Sequence, residues 1–179
     1  MEFDPLASSG MWNDRDTPLA YFISWRTYGT WLHGDPRGST SRHRNRYNSE
    51  FLPPEPHWFE VNRTRMASPP FRLNKEQRGC VERAVRETAV FRGWDVYALN
   101  ARTTHVHSVA RINAHQHPSV ALNAFKSNAT RSLREVGLYR SDRTPWADRG
   151  SERWLWTEQQ VTAAVDYVLY CQGDDFLND

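Results

Sequence analysis

Two histidines separated by one valine, His105 and His107 in "TTHVHSVARI", carry side chains that can hold a divalent cation. On a helix, positions i and i+2 point apart; on a strand they share a face, because side chains alternate with period two. A strand through this stretch therefore sets two imidazoles side by side and turns Val106 the other way. Two ligands are too few to fix an ion by themselves, and paired histidines on a half-buried strand can equally fill space and hydrogen-bond. A second pair with the same spacing, His115 and His117 in "NAHQHPS", lies in a turn before a helix and reads as a loop or capping feature. Further along, two tyrosines, Tyr167 and Tyr170, precede "CQG". A Tyr hydroxyl has a reference pKa of about 10 and is a poor nucleophile at neutral pH. It can attack a phosphodiester when a nearby cation polarises the phosphate. Helix-borne tyrosines also serve as packing residues with a wet tip, so the residues alone leave both roles open.

These groups must be positioned by regular elements. "LAYFISWRTYGTW" is rich in aromatic and β-branched residues and reads as a strand over Ala20–Thr27, followed by turns at Gly29, Gly34, Pro36 and Gly38. Residues 39–70 carry scattered prolines without a clear period and read as a long irregular insertion. "LNKEQRGCVERAVRETAVFRGW" is a helix, with Asn74 and Gln77 as a capping box, Val81, Ala84, Val85 and Thr88 along one side, and Gly93 at its end. Two strands, "WDVYALNAR" and "THVHSVARI", follow, separated by a short turn near Thr103. The next helix starts near Pro118 and stops before Gly137; Leu122, Phe125, Ala129, Leu133 and Val136 form its buried side, and Lys126, Thr130 and Arg134 a polar, basic one. After the Trp-rich "TPWADRGSERWLW", Thr157 and Gln160 form a capping box for a last helix. Its apolar stripe is Val161, Ala164, Val165, Val168 and Leu169, and Gly173 stops it. Tyr167 flanks that stripe, where it could reach a site beside the sheet, whereas Tyr170 lies almost opposite it.

The order strand, helix, strand, strand, helix, strand is the split βαβ pattern of an α+β, ferredoxin-like sheet (βαββαβ) with helices on one face, and the last helix is an addition to it. Residues 1–18 read as an N-terminal tail and 19–179 as one domain.

The 179 residues, 39% hydrophobic and including eight Trp, suffice for a real core. No run of eighteen apolar residues exists, which excludes a membrane-spanning helix, and "MEFDPLASSGMWNDRD" has neither the basic start nor the apolar centre of a signal peptide. Two cysteines, Cys80 and Cys171, without metal spacing suit a reducing cytoplasm. The formal charge is only +2, but it comes from 21 Arg against 2 Lys, and "RGSTSRHRNR" holds Arg37, Arg42, Arg44 and Arg46 with no acid. Arginine grips phosphate with a fork and stacks on flat rings, so this arm and the Lys126/Arg134 helix face are candidate DNA contacts, and Trp31, Trp146, Trp154 and Trp156 candidate base-stacking rings. A solvated loop or a bias toward Arg would give the same composition.

The block "YGTWLHGDPRG" after an entry strand, then "HVH" on a strand, then "YV" and "QG" on a late amphipathic helix, resembles the single-tyrosine HUH transposases, in particular REP-associated tyrosine transposases and small insertion-sequence single-strand transposases. The resemblance runs from about residue 19 to 173 and is weak over 39–70. It implies that His105 and His107 ligate Mg²⁺ or Mn²⁺, that Tyr167 attacks single-stranded DNA beside a hairpin, and that a 5′-phosphotyrosine link and a free 3′-OH result. It implies Gln172 as the third ligand. In such enzymes the amide often follows the nucleophile by four residues; here the fourth is Cys171 and Gln172 is the fifth, rotated away on a regular helix. An irregular last turn restores the geometry; otherwise another group is the ligand. The resemblance implies a cytoplasmic, nucleoid-associated bacterial protein, no membrane partner, and either a homodimer or a monomer. Two other readings stand beside it: a domesticated relative that binds hairpin DNA or RNA without cutting, and a small metallohydrolase that uses water.

Overall fold

The computed structural model describes residues 17–39 and 50–172. Its elements are β1 (Ala20–Thr27), α1 (Pro56–Thr64), α2 (Lys75–Arg92), β2 (Asp95–Ala101), β3 (His105–Arg111), α3 (Pro118–Glu135), β4 (Trp146–Leu155) and α4 (Glu158–Tyr170). The four strands form one sheet in the order β2-β3-β1-β4, with every neighbouring pair antiparallel. Each of the two βαβ units thus brackets a strand of the other, as the split βαβ pattern requires.

Alternation along β1 decides what each face carries. Tyr21, Ile23 and Trp25 join Val106 of β3 on the side covered by α2 and α3, where Val81, Val85, Phe125, Leu133 and Trp146 complete the larger core. Trp25 stacks on Phe125 at 6.3 Å and meets Trp146 edge-on at 6.1 Å. Ala20 goes to the other side with Ala98, Val109 and Leu155, where α4 contributes Ala164 and Val168 and where Phe22 packs in part. The appended helix therefore covers the face opposite the other two.

The helix ends follow local chemistry. Asn74 and Gln77 cap α2 reciprocally and Gly93 closes it at φ 68°. The His117 imidazole accepts from the Ser119 amide at the start of α3, so His117 of the second pair is a capping residue. At α4, Thr157 accepts from the Gln160 N–H, but the Gln160 side chain reaches back to the Trp156 N–H rather than to Thr157, so the box is shifted by one residue. Val136, expected on the buried side of α3, is 57% exposed because the helix ends at Glu135 and the chain turns there.

The expected irregular insertion holds a helix, α1, and a bridge between Ser39 and Leu52. Pro56 sits at the first helical position, where a missing N–H costs nothing and φ is already suitable. The helix buries no residue of its own, hence the absence of a periodic signal. Its start is held against Gly34, which has φ +84°; a Cβ there would lie 2.3 Å from the Glu55 carbonyl oxygen and 2.7 Å from the Phe59 nitrogen. Gly34→Ala is expected to lower stability by about 1–3 kcal/mol through backbone strain and this clash, read as a lower urea midpoint.

Candidate active site

Pairing across the sheet places the histidines. His105 lies opposite Arg26 of β1, and His107 lies opposite Ser24 of β1 and Asn100 of β2. Both imidazoles project to the α4 side, with ring centres 4.6 Å apart, while Val106 is fully buried in the larger core. Period two thus has the consequence expected of it.

The His107 ring is packed between Phe22 (5.2 Å) and Tyr167 (5.8 Å). Burial, and then the charges of His105, Arg26 and Arg102, push its pKa down to about 3. Its Nδ1 is buried without a hydrogen-bond partner among the described residues. Burial therefore favours the neutral ring, the form in which an imidazole ligates a metal. Between the unfolded value near 6.5 and about 3, the unfolded chain takes up the proton and the folded one does not. The His107 contribution to stability is fully present above pH 6.5 and falls with acidification by up to about 1.4 kcal/mol per pH unit. In metal-free protein, the melting temperature is expected to fall less between pH 7 and pH 5 for His107→Gln than for wild type; equal slopes would remove His107 as the cause.

α4 brings the remaining groups. The Asn100 amide donates to the Val168 carbonyl (3.0 Å), and Arg102 donates to the Gln172 carbonyl (3.1 Å), so β2 and the turn after it hold the helix end. At Cys171 the backbone leaves helical geometry (φ −108°, ψ 24°). The Gln172 side chain folds back: Nε2 donates to the Tyr167 carbonyl at 3.0 Å, and Oε1 lies 3.3 Å from His105 Nε2. This irregular last turn brings an amide five residues from the tyrosine to the histidines. Tyr167 is 45% exposed with its ring edge-on to Phe22 at 5.9 Å, whereas Tyr170 is 77% exposed.

His105, His107, Gln172 and Tyr167 are thus assembled on one face. The other predicted groups are elsewhere. Lys126 donates to the carbonyls of Ala147 and Asp148, and Arg134 to those of Ser141, Asp142 and Arg143. Both therefore tie α3 to the segment that enters β4. Trp146 is 1% exposed and unavailable for stacking on a base. Arg37 forks onto Asp35. Arg42, Arg44 and Arg46 lie outside the described residues. The sequence reading missed Asn100, Arg102 and Arg26; only Arg26 had a signal, its place two residues from Ser24 and four from Phe22 along β1.

No family model matches the chain, and no curated protein does. Solved structures similar to it include the following two. One is a REP-associated tyrosine transposase bound to a REP hairpin, at 11% identity and a TM-score of 0.44, over 83% of this chain and 63% of that one. The chain thus spans less than two thirds of that protein's length. The other is a candidate transposase from Deinococcus radiodurans R1, at 13% identity and a TM-score of 0.44, over 94% of this chain and 95% of that one.

The donor set bears on which ion fits. Among the described residues no group of three His, Cys, Asp or Glu gathers, so the site offers two imidazoles and one amide oxygen. Such a set is neutral and open, unlike a closed Cys/His cage for zinc. Two imidazoles and one amide oxygen could hold a divalent cation and leave its other positions open. Among the described residues no helix is long and apolar enough to cross a membrane.

Proposed function

We propose that the chain is a metal-dependent single-stranded DNA endonuclease and strand transferase of the transposase kind, acting through a 5′-phosphotyrosine at hairpin-flanked sites. The observation that carries the reading is the convergence of α4 on the histidine face: Gln172 Oε1 lies 3.3 Å from His105 Nε2, and the Tyr167 ring is 5.8 Å from that of His107.

His105, His107 and Gln172 would hold Mg²⁺ or Mn²⁺, which when bound supplies charge neutralisation on the phosphate oxygens. The Tyr167 oxygen attacks phosphorus and loses its proton. The bond to the 3′-oxygen breaks, and that oxygen takes up a proton as the free 3′-OH. Reversal by a different 3′-OH joins strands. The rings of His107 and Phe22 confine the phenol from two sides, so its approach is fixed before DNA arrives. The arm carrying Arg37, Arg42, Arg44 and Arg46 would track the backbone. Replacing Arg42, Arg44 and Arg46 by Ala is expected to flatten the salt dependence of single-strand binding by about 0.7 of a log unit per lost phosphate contact; an unchanged slope would make the arm a solvated loop.

The test is incubation with labelled single-stranded hairpin DNA and Mn²⁺, followed by a denaturing gel. A protein–DNA adduct that disappears with chelator is expected. Hairpin binding with no cleavage would favour the domesticated binder, and a free 5′-phosphate would favour water as nucleophile.

A further inference from the structure

Arg26 lies beside the histidines, and no role has been given to it. It lies near the end of β1, directly opposite His105 in the ladder, a separation at which opposed Cβ atoms are about 5 Å apart. By alternation it shares the face of Phe22, the ring that touches both His107 and Tyr167. Its guanidinium lies flat on the Trp31 ring, 3.5 Å from the ring centre. Trp31 is itself fixed: its indole N–H donates to the Gly38 carbonyl at 2.7 Å, and its ring packs against Phe51 at 5.6 Å.

A second arginine shares this plate. Arg37 is 4.6 Å from the Trp31 ring centre, but its charge is answered, since Nε and one terminal nitrogen each reach Asp35 at 2.7 Å and the Thr30 carbonyl accepts at 2.8 Å. Among the described residues Arg26 has no hydrogen bond and no ion pair. Its surroundings are also cationic: burial and then Arg37 bring its pKa down to about 10, with Asp35 and Tyr167 acting only weakly in the other direction. A half-buried guanidinium with five donors and no acceptor is costly unless an anion completes it. One stacked on an aromatic plate keeps its fork in a fixed plane, as bidentate recognition of phosphate needs.

We propose that Arg26 is the phosphate-binding cation of the site, its fork receiving the non-bridging oxygens of the DNA phosphodiester presented to Tyr167, with Trp31 holding it in plane. The inference rests on the reading of this face as a nuclease site, and it assigns to the "YGTWLHGDPRG" block the work of building and steadying the plate.

The experiment has a binding arm and a chemical arm. In the binding arm, a fluorescent single-stranded hairpin oligonucleotide is titrated with metal-free Tyr167→Phe protein, with and without Arg26→Gln, over a range of salt. Gln keeps part of the stem over Trp31 and removes the charge. The slope of log affinity against log salt is expected to fall by about 0.7, one phosphate contact, and to be restored by Arg26→Lys. In the chemical arm, with Tyr167 intact and Mn²⁺ present, Arg26→Gln is expected to slow adduct formation by about 10²–10³-fold, the usual cost of one donor to a developing charge. Arg26→Lys is expected to recover only part of this, because an ammonium lacks the fork. An unchanged slope overturns the proposal, even with slowed cleavage, since Arg26 would then act only as a prop for the loop. If wild type forms no adduct while the slope still falls, the phosphate site stands and the nuclease reading fails. An adduct at the wild-type rate in Arg26→Gln sinks Arg26 and spares the nuclease.

Discussion

Tyr167→Phe protein is expected to bind hairpin DNA with wild-type affinity and to form no covalent adduct with it. The substitution removes one oxygen from a ring whose packing against His107 and Phe22 comes from its faces and edges, so the fold survives. No other hydroxyl on α4 replaces the lost one: Tyr170 is 77% exposed and makes no ring contact with the histidines among the described residues. Tyr170→Phe is therefore expected to keep the adduct. In wild type the 5′ side of the break is expected to be masked by protein and the 3′ side to be free, which a polymerase extension assay reads directly. An adduct that persists in Tyr167→Phe and vanishes in Tyr170→Phe moves the nucleophile by one turn and leaves the chemistry intact. If neither substitution matters, water is the nucleophile.

Loss of either imidazole is expected to be nearly as severe. His105→Ala leaves one ring nitrogen and one amide for the ion and strips Gln172 Oε1 of its neighbour 3.3 Å away. His107→Ala removes a neutral ring and leaves a gap between Phe22 and Tyr167. His107→Gln, which fills most of that gap, separates lost ligation from lost packing. Mn²⁺-dependent cleavage is expected to fall by more than about 100-fold in each, since changes one shell further out already cost 10–100-fold. Single-strand affinity without metal should hold. His115→Ala should be nearly silent, and His117→Ala should cost about 1 kcal/mol of stability as a lost helix cap with no effect on cleavage per folded molecule. Cleavage by a chain lacking both His105 and His107 would remove the metal site from the argument.

Much of this arrangement was legible because it is local. The alternation in "AYFISWRT", the Asn74/Gln77 box, the glycine at position 93 and the two-residue spacing of the histidines each state a backbone geometry within a few residues. Helix α1 was not legible, because its prolines precede or start it and its side chains bury nothing. What Lys126 and Arg134 touch within the fold was not legible for a different reason. A basic face on an amphipathic helix states only that the face is polar; that carbonyls from 141–148 would occupy its donors depends on the chain's return into β4. Gln172 required a departure from helical geometry at Cys171 that no periodicity encodes.

The two faces of the sheet are unequally filled, and Tyr167 rides on the thinner one. Of the helix α4 only Ala164 and Val168 are buried, whereas α2 buries Val81, Val85 and six further residues against the other face. Elements that bury little open at a lower free energy than the molecule as a whole. Amide hydrogens of α4 should then exchange through excursions that leave α2 and α3 protected. On heating, the cluster of His105, His107, Tyr167 and Gln172 would come apart while the sheet and its larger core are still folded.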